Sequence, residues 1–228
     1  MVEILYEDNH IIIINKRSGD ITQGDKTGDD PVGEEVKTYI KKKYNKPGNV
    51  FLGVAHRLDR PVSGILVFAR TSKALERLGA MFREKELQKT YWAIVEQSPE
   101  IEQGTLTNYI AKNQEKNKSR VVDAKHKEAK LASLSYLTLA KSDKYTLLEV
   151  DLHTGRHHQI RVQLSNMGCI IKGDLKYGAK RSNNDGSISL HSRKIKFEHP
   201  VSKEHIEVTA PCPKNDALWF FFETEMEK

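Results

Sequence analysis

Asp59 stands between Arg57 and Arg60 in the stretch His56-Arg57-Leu58-Asp59-Arg60-Pro61-Val62-Ser63-Gly64. Cations this close favour an ionised carboxylate, the form that a nucleophile or a proton acceptor requires. Pro61 and Gly64 mark a turn, and the apolar runs on either side mark strands that would hold it, an arrangement that suits catalytic groups. A plainer role fits the same residues: an Asx-type turn in which Asp59 caps its own backbone. Spacing alone leaves the two open.

Three histidines, His153, His157 and His158, raise the question of a metal, because His153 and His157 are four apart, as in helical zinc pairs. The Thr154-Gly155 turn lies between them and keeps them off one helical face, and no Cys or carboxylate follows at ligand spacing. No metal is expected. Cys169 and Cys212 are the two cysteines, without Cys-x-x-Cys spacing, and read as reduced thiols.

Behind these residues stands a chain of 228 residues with a net charge of +6 and a pI near 9.1. That length can bury a substantial core without disulfides, and no repeat or low-complexity linker divides it, so residues 1–228 read as one domain. Apolar runs such as 11–14 and 65–68 fall far short of the roughly 18 residues of a membrane span. The N-terminus reads as a strand rather than a leader, and a cytoplasmic location is expected. The positive balance favours a polyanion as partner, nucleic acid first. Its distribution is uneven. Residues 37–46 hold five lysines and no acid, 25–35 hold five acids against Lys26, and 112–130 hold seven Lys or Arg against three acids. The first two runs fit one helix over 32–44, with acids at its start and lysines at its end. The third reads as a solvated hairpin tip or as a basic loop that grips a phosphate backbone.

Strand-like segments dominate: 3–6, 11–15, 50–56, 64–69, 89–95, 106–110, 132–140, 145–152, 187–190, 194–197 and 205–209. Further helices are expected from an N-cap at Ser72 through Leu75, Leu78 and Phe82 to Glu86, from the Thr154-Gly155 turn through Ile160, Leu164 and Met167 to Gly168, and over 216–227. Hairpin-paired strands with few helices predict an α+β fold, a mostly antiparallel mixed sheet flanked by helices.

His56-Arg57-Leu58-Asp59 with Ser63-Gly64 and Ala69 resembles the signature of the RluA-type pseudouridine synthases. Four more segments match in the family's order: Asn15-Lys16-Arg17-Ser18-Gly19; Lys89-Thr90-Tyr91-Trp92-Ala93-Ile94-Val95; Gly155-Arg156-His157-His158-Gln159-Ile160-Arg161 with Gly173-Asp174 and Tyr177-Gly178; and Leu190-His191-Ser192, Phe197, His199-Pro200 and Ala210-Pro211. The resemblance spans about residues 3 to 213. Arg17 stands at the family's Pro, Val62 and His157 at its Thr positions, and Gln163 at a common His. The small RNA-binding domain that precedes many relatives is not expected here.

The resemblance implies the pseudouridine synthase fold with a central active-site cleft. It implies an isomerase that turns uridine into pseudouridine within ribosomal or transfer RNA, without an external cofactor; a monomer is the default expectation. It assigns to Asp59 the carboxylate that cleaves or traps the anomeric centre, to Arg161 the fixed cation beside it, and to Tyr91 the stacking face and proton relay for the uracil. Arg57 would enter the gap left by the flipped base. Arg156, near its turn, is better placed to meet phosphate, and Lys89 joins it in meeting the RNA. A catalytically silent RNA-binding protein of the same fold would lack Asp59, Tyr91 or Arg161, and all three are present. A carboxylate-dependent hydrolase would want a second acid; Asp174 is available, but its Gly-Asp-x-x-Tyr-Gly context reads as a structural turn.

Overall fold

Four consecutive isoleucines, Ile11 to Ile14, are all withdrawn from solvent, as is every residue from Ser63 to Ala69. A strand buried on both faces belongs to the interior of a sheet, and these two runs form the centre of the first half of the molecule. The computed structural model describes residues 2–24, 28–214 and 216–227. Asp25 and Lys26, part of the acidic run noted above, lie outside the described residues.

Chain order is β1 (Glu3–Glu7), β2 (Ile11–Lys16), α1 (Val32–Lys43), β3 (Gly53–Val54), β4 (Ser63–Ala69), α2 (Ser72–Glu84), β5 (Gln88–Val95), β6 (Gln103–Asn113), β7 (Lys118–Val122), β8 (Lys130–Lys141), β9 (Thr146–Leu152), α3 (Gln159–Asn166), a 3₁₀ turn at Leu175–Tyr177, β10 (Leu190–Glu198), β11 (His205–Thr209) and α4 (Ala217–Met226). Among the described residues, hairpins of this kind with four helices make the expected α+β class.

The chain divides into two compact units, one reaching Leu87 and including Ser192–Pro211, the other holding Gln88–His191 and the chain from Cys212 onward. In the first, β2 pairs antiparallel with β1 and β4, β3 with β4, and β10 with β11. Ile11, Ile13, Ile65 and Val67 pack with Ala74, Leu78 and Met81 of α2 and with Phe197 and Val208. The N-cap of α2 is Thr71 rather than Ser72, its hydroxyl accepting from Ala74 N at 3.2 Å. Helix α1 carries Glu34 and Glu35 in its first turn and Lys41, Lys42 and Lys43 in its last, as the helix dipole favours. Its end is pinned to β1 by Glu7, whose carboxylate accepts from Tyr39, Lys43, Tyr44 and Arg70.

In the second unit the strands run in the order β5-β9-β8-β6-β7, each pairing antiparallel. Trp92, expected in the core, packs with Ile94, Leu147, Trp219 and Phe222 of α4, and Asp216 caps that helix through Leu218 N at 2.8 Å.

Three strand expectations need correction. The strand over 50–56 shrinks to Gly53–Val54, which pair with Ala69 and Phe68; beyond them His56 leaves the ladder, its imidazole accepting from Val67 N. Residues 187–189 are loop, held by Asp185 on Ser187 N and by the Asn183 amide on the hydroxyls of Ser187 and Ser189. Lys118–Val122, part of the basic run, is a strand that the sequence reading missed.

Candidate active site

The turn that presents Asp59 is fixed from several sides within the first unit. His56 Nε2 accepts from Val67 N at 3.0 Å, and its ring stacks on Phe82 with centroids 4.6 Å apart. Because a backbone N–H donates to Nε2, that nitrogen carries no proton, so His56 is neutral here and serves as a structural peg. The Thr22 hydroxyl bonds both Leu58 N and Leu58 O, and Val62 N donates to Asp59 O at 3.0 Å. At the far end Gly64 takes φ +107°, and a β-carbon there would sit 2.6 Å from Ser192 N, so no larger residue fits. Asp59 itself is half-buried and Arg57 exposed, the latter reaching Gln23 at 3.4 Å.

Lys16 is a buried neighbour of the Asp59 turn whose role the sequence reading passed over. Its side chain is fully buried, and the ammonium donates to three backbone carbonyls: Arg17 O at 2.8 Å, Asp20 O at 2.8 Å and Arg60 O at 3.2 Å. Burial pulls its pKa down to about 8, against the opposing pull of the Asp20 and Asp59 carboxylates. Lys16 thus staples the Asn15–Gly19 turn to the turn of Asp59, a link repeated by Gly19 N on Arg60 O at 2.9 Å. The only sequence signal was its place in the Asn-Lys-x-x-Gly segment. Arg17, at the family's Pro, braces the same turn through Asp20 at 2.9 Å and Glu35 of α1 at 2.7 Å.

In the second unit Tyr91 lies on β5, paired with Val150 of β9 and only 7% exposed. Lys89 sits two residues earlier, its ammonium 3.9 Å from where a β-carbon on Gly155 would stand, and burial lowers its pKa. The structure therefore brings Lys89 to the turn that precedes α3. Arg156 in that turn is exposed and donates to Leu131 O at 2.9 Å, while Gln159 closes the turn by accepting from Thr154 Oγ1 and Arg156 N.

Arg161 emerges from α3 into the interior. Its Nε and Nη2 donate to the two carboxylate oxygens of Asp174 at 2.7 and 2.8 Å, with both side chains buried, and its guanidinium lies 5.1 Å from the centre of the Tyr177 ring. Asp174 is therefore more than the structural turn expected of it: it fixes the plane of Arg161 and uses two of its five donors. Gln163, at the common His position, is buried and donates to Asn108 Oδ1 at 2.8 Å. His153 bonds Ser133 and Ser135, whereas His157 bonds Ser119. Among the described residues no three His, Cys, Asp or Glu side chains are grouped to hold a metal.

Asp59 and Arg57 thus belong to the first unit, and Lys89, Tyr91, Arg156 and Arg161 to the second. Chemically, the first offers a carboxylate on a rigid, cation-lined turn, and the second a guanidinium locked in orientation and an inward tyrosine.

The family model for RNA pseudouridylate synthase matches residues 10–166. The ribosomal large subunit pseudouridine synthase C of Buchnera aphidicola is 35% identical over 219 residues, covering 91% of this chain and 66% of that protein. Its namesake from Vibrio cholerae is 34% identical over 214 residues, covering 91% and 65%. The chain thus spans just under two thirds of the length of these relatives. The solved structure of human RNA pseudouridylate synthase domain containing 4 superposes with a TM-score of 0.80 over 96% of this chain and 92% of that one, at 22% identity, a likeness of fold. With the match covering most of the chain and all five motifs in order, this protein belongs to the RluA-type RNA pseudouridylate synthase family.

Proposed function

We propose that the chain isomerises uridine to pseudouridine in RNA, with residues 1–228 working as one catalytic domain. What carries the reading is the family match over residues 10–166 together with an unbroken His56-Arg57-Leu58-Asp59 turn whose carboxylate sits on a fixed backbone. In this reading Asp59 acts at the anomeric carbon, either as nucleophile or by taking the C2′ proton, with no external cofactor. Tyr91 holds the uracil and relays the C5 proton, and Arg161 supplies fixed positive charge. Arg57, exposed on the Asp59 turn, fills the gap of the flipped base. Arg156 and Lys89 meet phosphate. The enzyme works as a monomer in the cytoplasm.

The Buchnera and Vibrio relatives are named for the large ribosomal subunit, which makes ribosomal RNA the first substrate to test and transfer RNA the second. The test is a map of pseudouridines at nucleotide resolution in cells with and without the gene. The reading expects one or a few sites to vanish from ribosomal or transfer RNA and to return with the wild-type gene. Identical maps would contradict it.

A further inference from the structure

The β6–β7 hairpin carries much of the third charged run, yet it is no loose tip. Ser119 on β7 is buried. Its N–H donates to Tyr177 Oη at 2.8 Å, and its hydroxyl lies 2.8 Å from His157 O and 2.9 Å from His157 Nδ1. On the other edge of the same ring, His157 Nε2 is 3.1 Å from Oδ1 of Asn117 at the hairpin tip. Lys176 adds a bond to Asn117 O at 3.1 Å.

The ring of His157 stacks on His158 with centroids 3.8 Å apart. Burial, then the Arg161 cation, pushes the His158 pKa down to about 2, so His158 is neutral and its Nδ1 accepts from Tyr177 Oη at 2.9 Å. His157 therefore rests on a fixed platform and grips the hairpin at two points, in the strand and at the tip. A threonine, the family's residue at this position, has no second ring nitrogen with which to span both.

Around this grip Lys116, Lys118, Arg120 and Lys176 are exposed, and Lys118 stands over the Tyr177 ring at 5.1 Å. Among the described residues no carboxylate pairs with any of the four. Like charges grouped on one hairpin repel one another, and beyond Ile110 the ladder of β6 is with β7 and not with β8, a two-stranded ribbon that is marginal by itself. Holding it beforehand reduces the ordering cost of binding a polyanion.

We propose that this face is a binding surface for the RNA phosphate backbone and that His157 is the positioning residue that latches it in place. The inference rests on the reading of the chain as an enzyme acting on RNA and adds the residue that shapes one of its RNA-facing surfaces.

The test uses the full chain and a uridine-containing RNA hairpin, with binding measured across a salt titration and pseudouridine formation measured on the same RNA. The variants are His157→Ala, Asn117→Gly and the double variant Lys116→Gln/Lys118→Gln. Asn117→Gly removes the Oδ1 acceptor while suiting the left-handed backbone at that position, φ 42°, and it decides the matter if His157→Ala fails to fold. Each latch variant is expected to weaken binding about tenfold and to shallow the log–log salt slope by roughly 0.7 to 0.9 for each phosphate that is no longer neutralised. KM should follow, with kcat at saturating RNA within about threefold of wild type. Added to the lysine variant, His157→Ala should weaken binding by less than about twofold more, because the latch acts through those lysines. Wild-type affinity and slope in both latch variants would overturn the proposal, as would full additivity with the lysine variant or a loss in kcat alone. If the wild type binds RNA in this manner yet forms no pseudouridine, the reading of activity fails and the latch stands.

Discussion

Arg161 and Asp174 face each other through two parallel hydrogen bonds of 2.7 and 2.8 Å inside the protein. Removing one partner of such a pair strands a buried charge, which costs about 3–5 kcal/mol, whereas replacing both with apolar residues is close to neutral. Asp174→Ala is therefore expected to lower unfolding stability by about 3 kcal/mol, and Arg161→Met/Asp174→Leu is expected to be more stable than Asp174→Ala alone. Urea unfolding of the two proteins checks this. A single variant within about 1 kcal/mol of wild type would mean that Asp174 does not hold Arg161 in solution.

Lys16 predicts a pH dependence of stability. Its pKa in the folded protein is about 8, below the ordinary 10.5, so between these values the unfolded chain binds more protons and stability rises with pH. The contribution is smallest below pH 8, where a charged lysine is buried, and grows toward pH 10.5, with a ceiling on the order of 3 kcal/mol. The stability difference between wild type and Lys16→Met, measured by denaturant at about pH 7.5 and about pH 10, should shift in favour of wild type at the higher pH. A constant difference would mean that the fold leaves the Lys16 pKa where water has it, and a difference moving the other way would mean that the carbonyls and the Asp20 and Asp59 carboxylates outweigh burial.

Tyr91→Phe retains the aromatic face and loses the hydroxyl. The variant is expected to bind RNA within about threefold of wild type and to turn over at least about a hundredfold more slowly, the scale of a lost general acid–base group. Single-turnover formation of pseudouridine on saturating enzyme measures it, and wild-type speed would assign the proton transfer to another group.

What could be read from the sequence was whatever depends on near neighbours. The helices Val32–Lys43 and Ser72–Glu84 carry their own charge order and apolar spacing, and the runs of buried strand in β2 and β4 are plain in the residues themselves. The Asp59 turn was legible for the same reason, with its Pro, its Gly and its flanking cations adjacent. Residues whose partners lie far along the chain were not. Lys16 looks like a surface residue of a turn until Arg60 O, 44 residues on, accepts from it. Asp174 looks like a turn former until Arg161 meets it. β7 was missed because Lys118, Ser119 and Arg120 show no apolar alternation; what seats Ser119 is Tyr177, 58 residues away.

Asp59 is the residue on which the proposed chemistry turns. Asp59→Asn keeps the size and much of the hydrogen bonding of the side chain while deleting its charge, so RNA binding should stay within about tenfold of wild type. The direct measurement is pseudouridine formed per enzyme on a bound uridine-containing RNA, for wild type and Asp59→Asn side by side. The expected result is turnover by the wild type and none above background by the variant. A variant that binds RNA and retains roughly a tenth or more of the wild-type rate would contradict a catalytic Asp59.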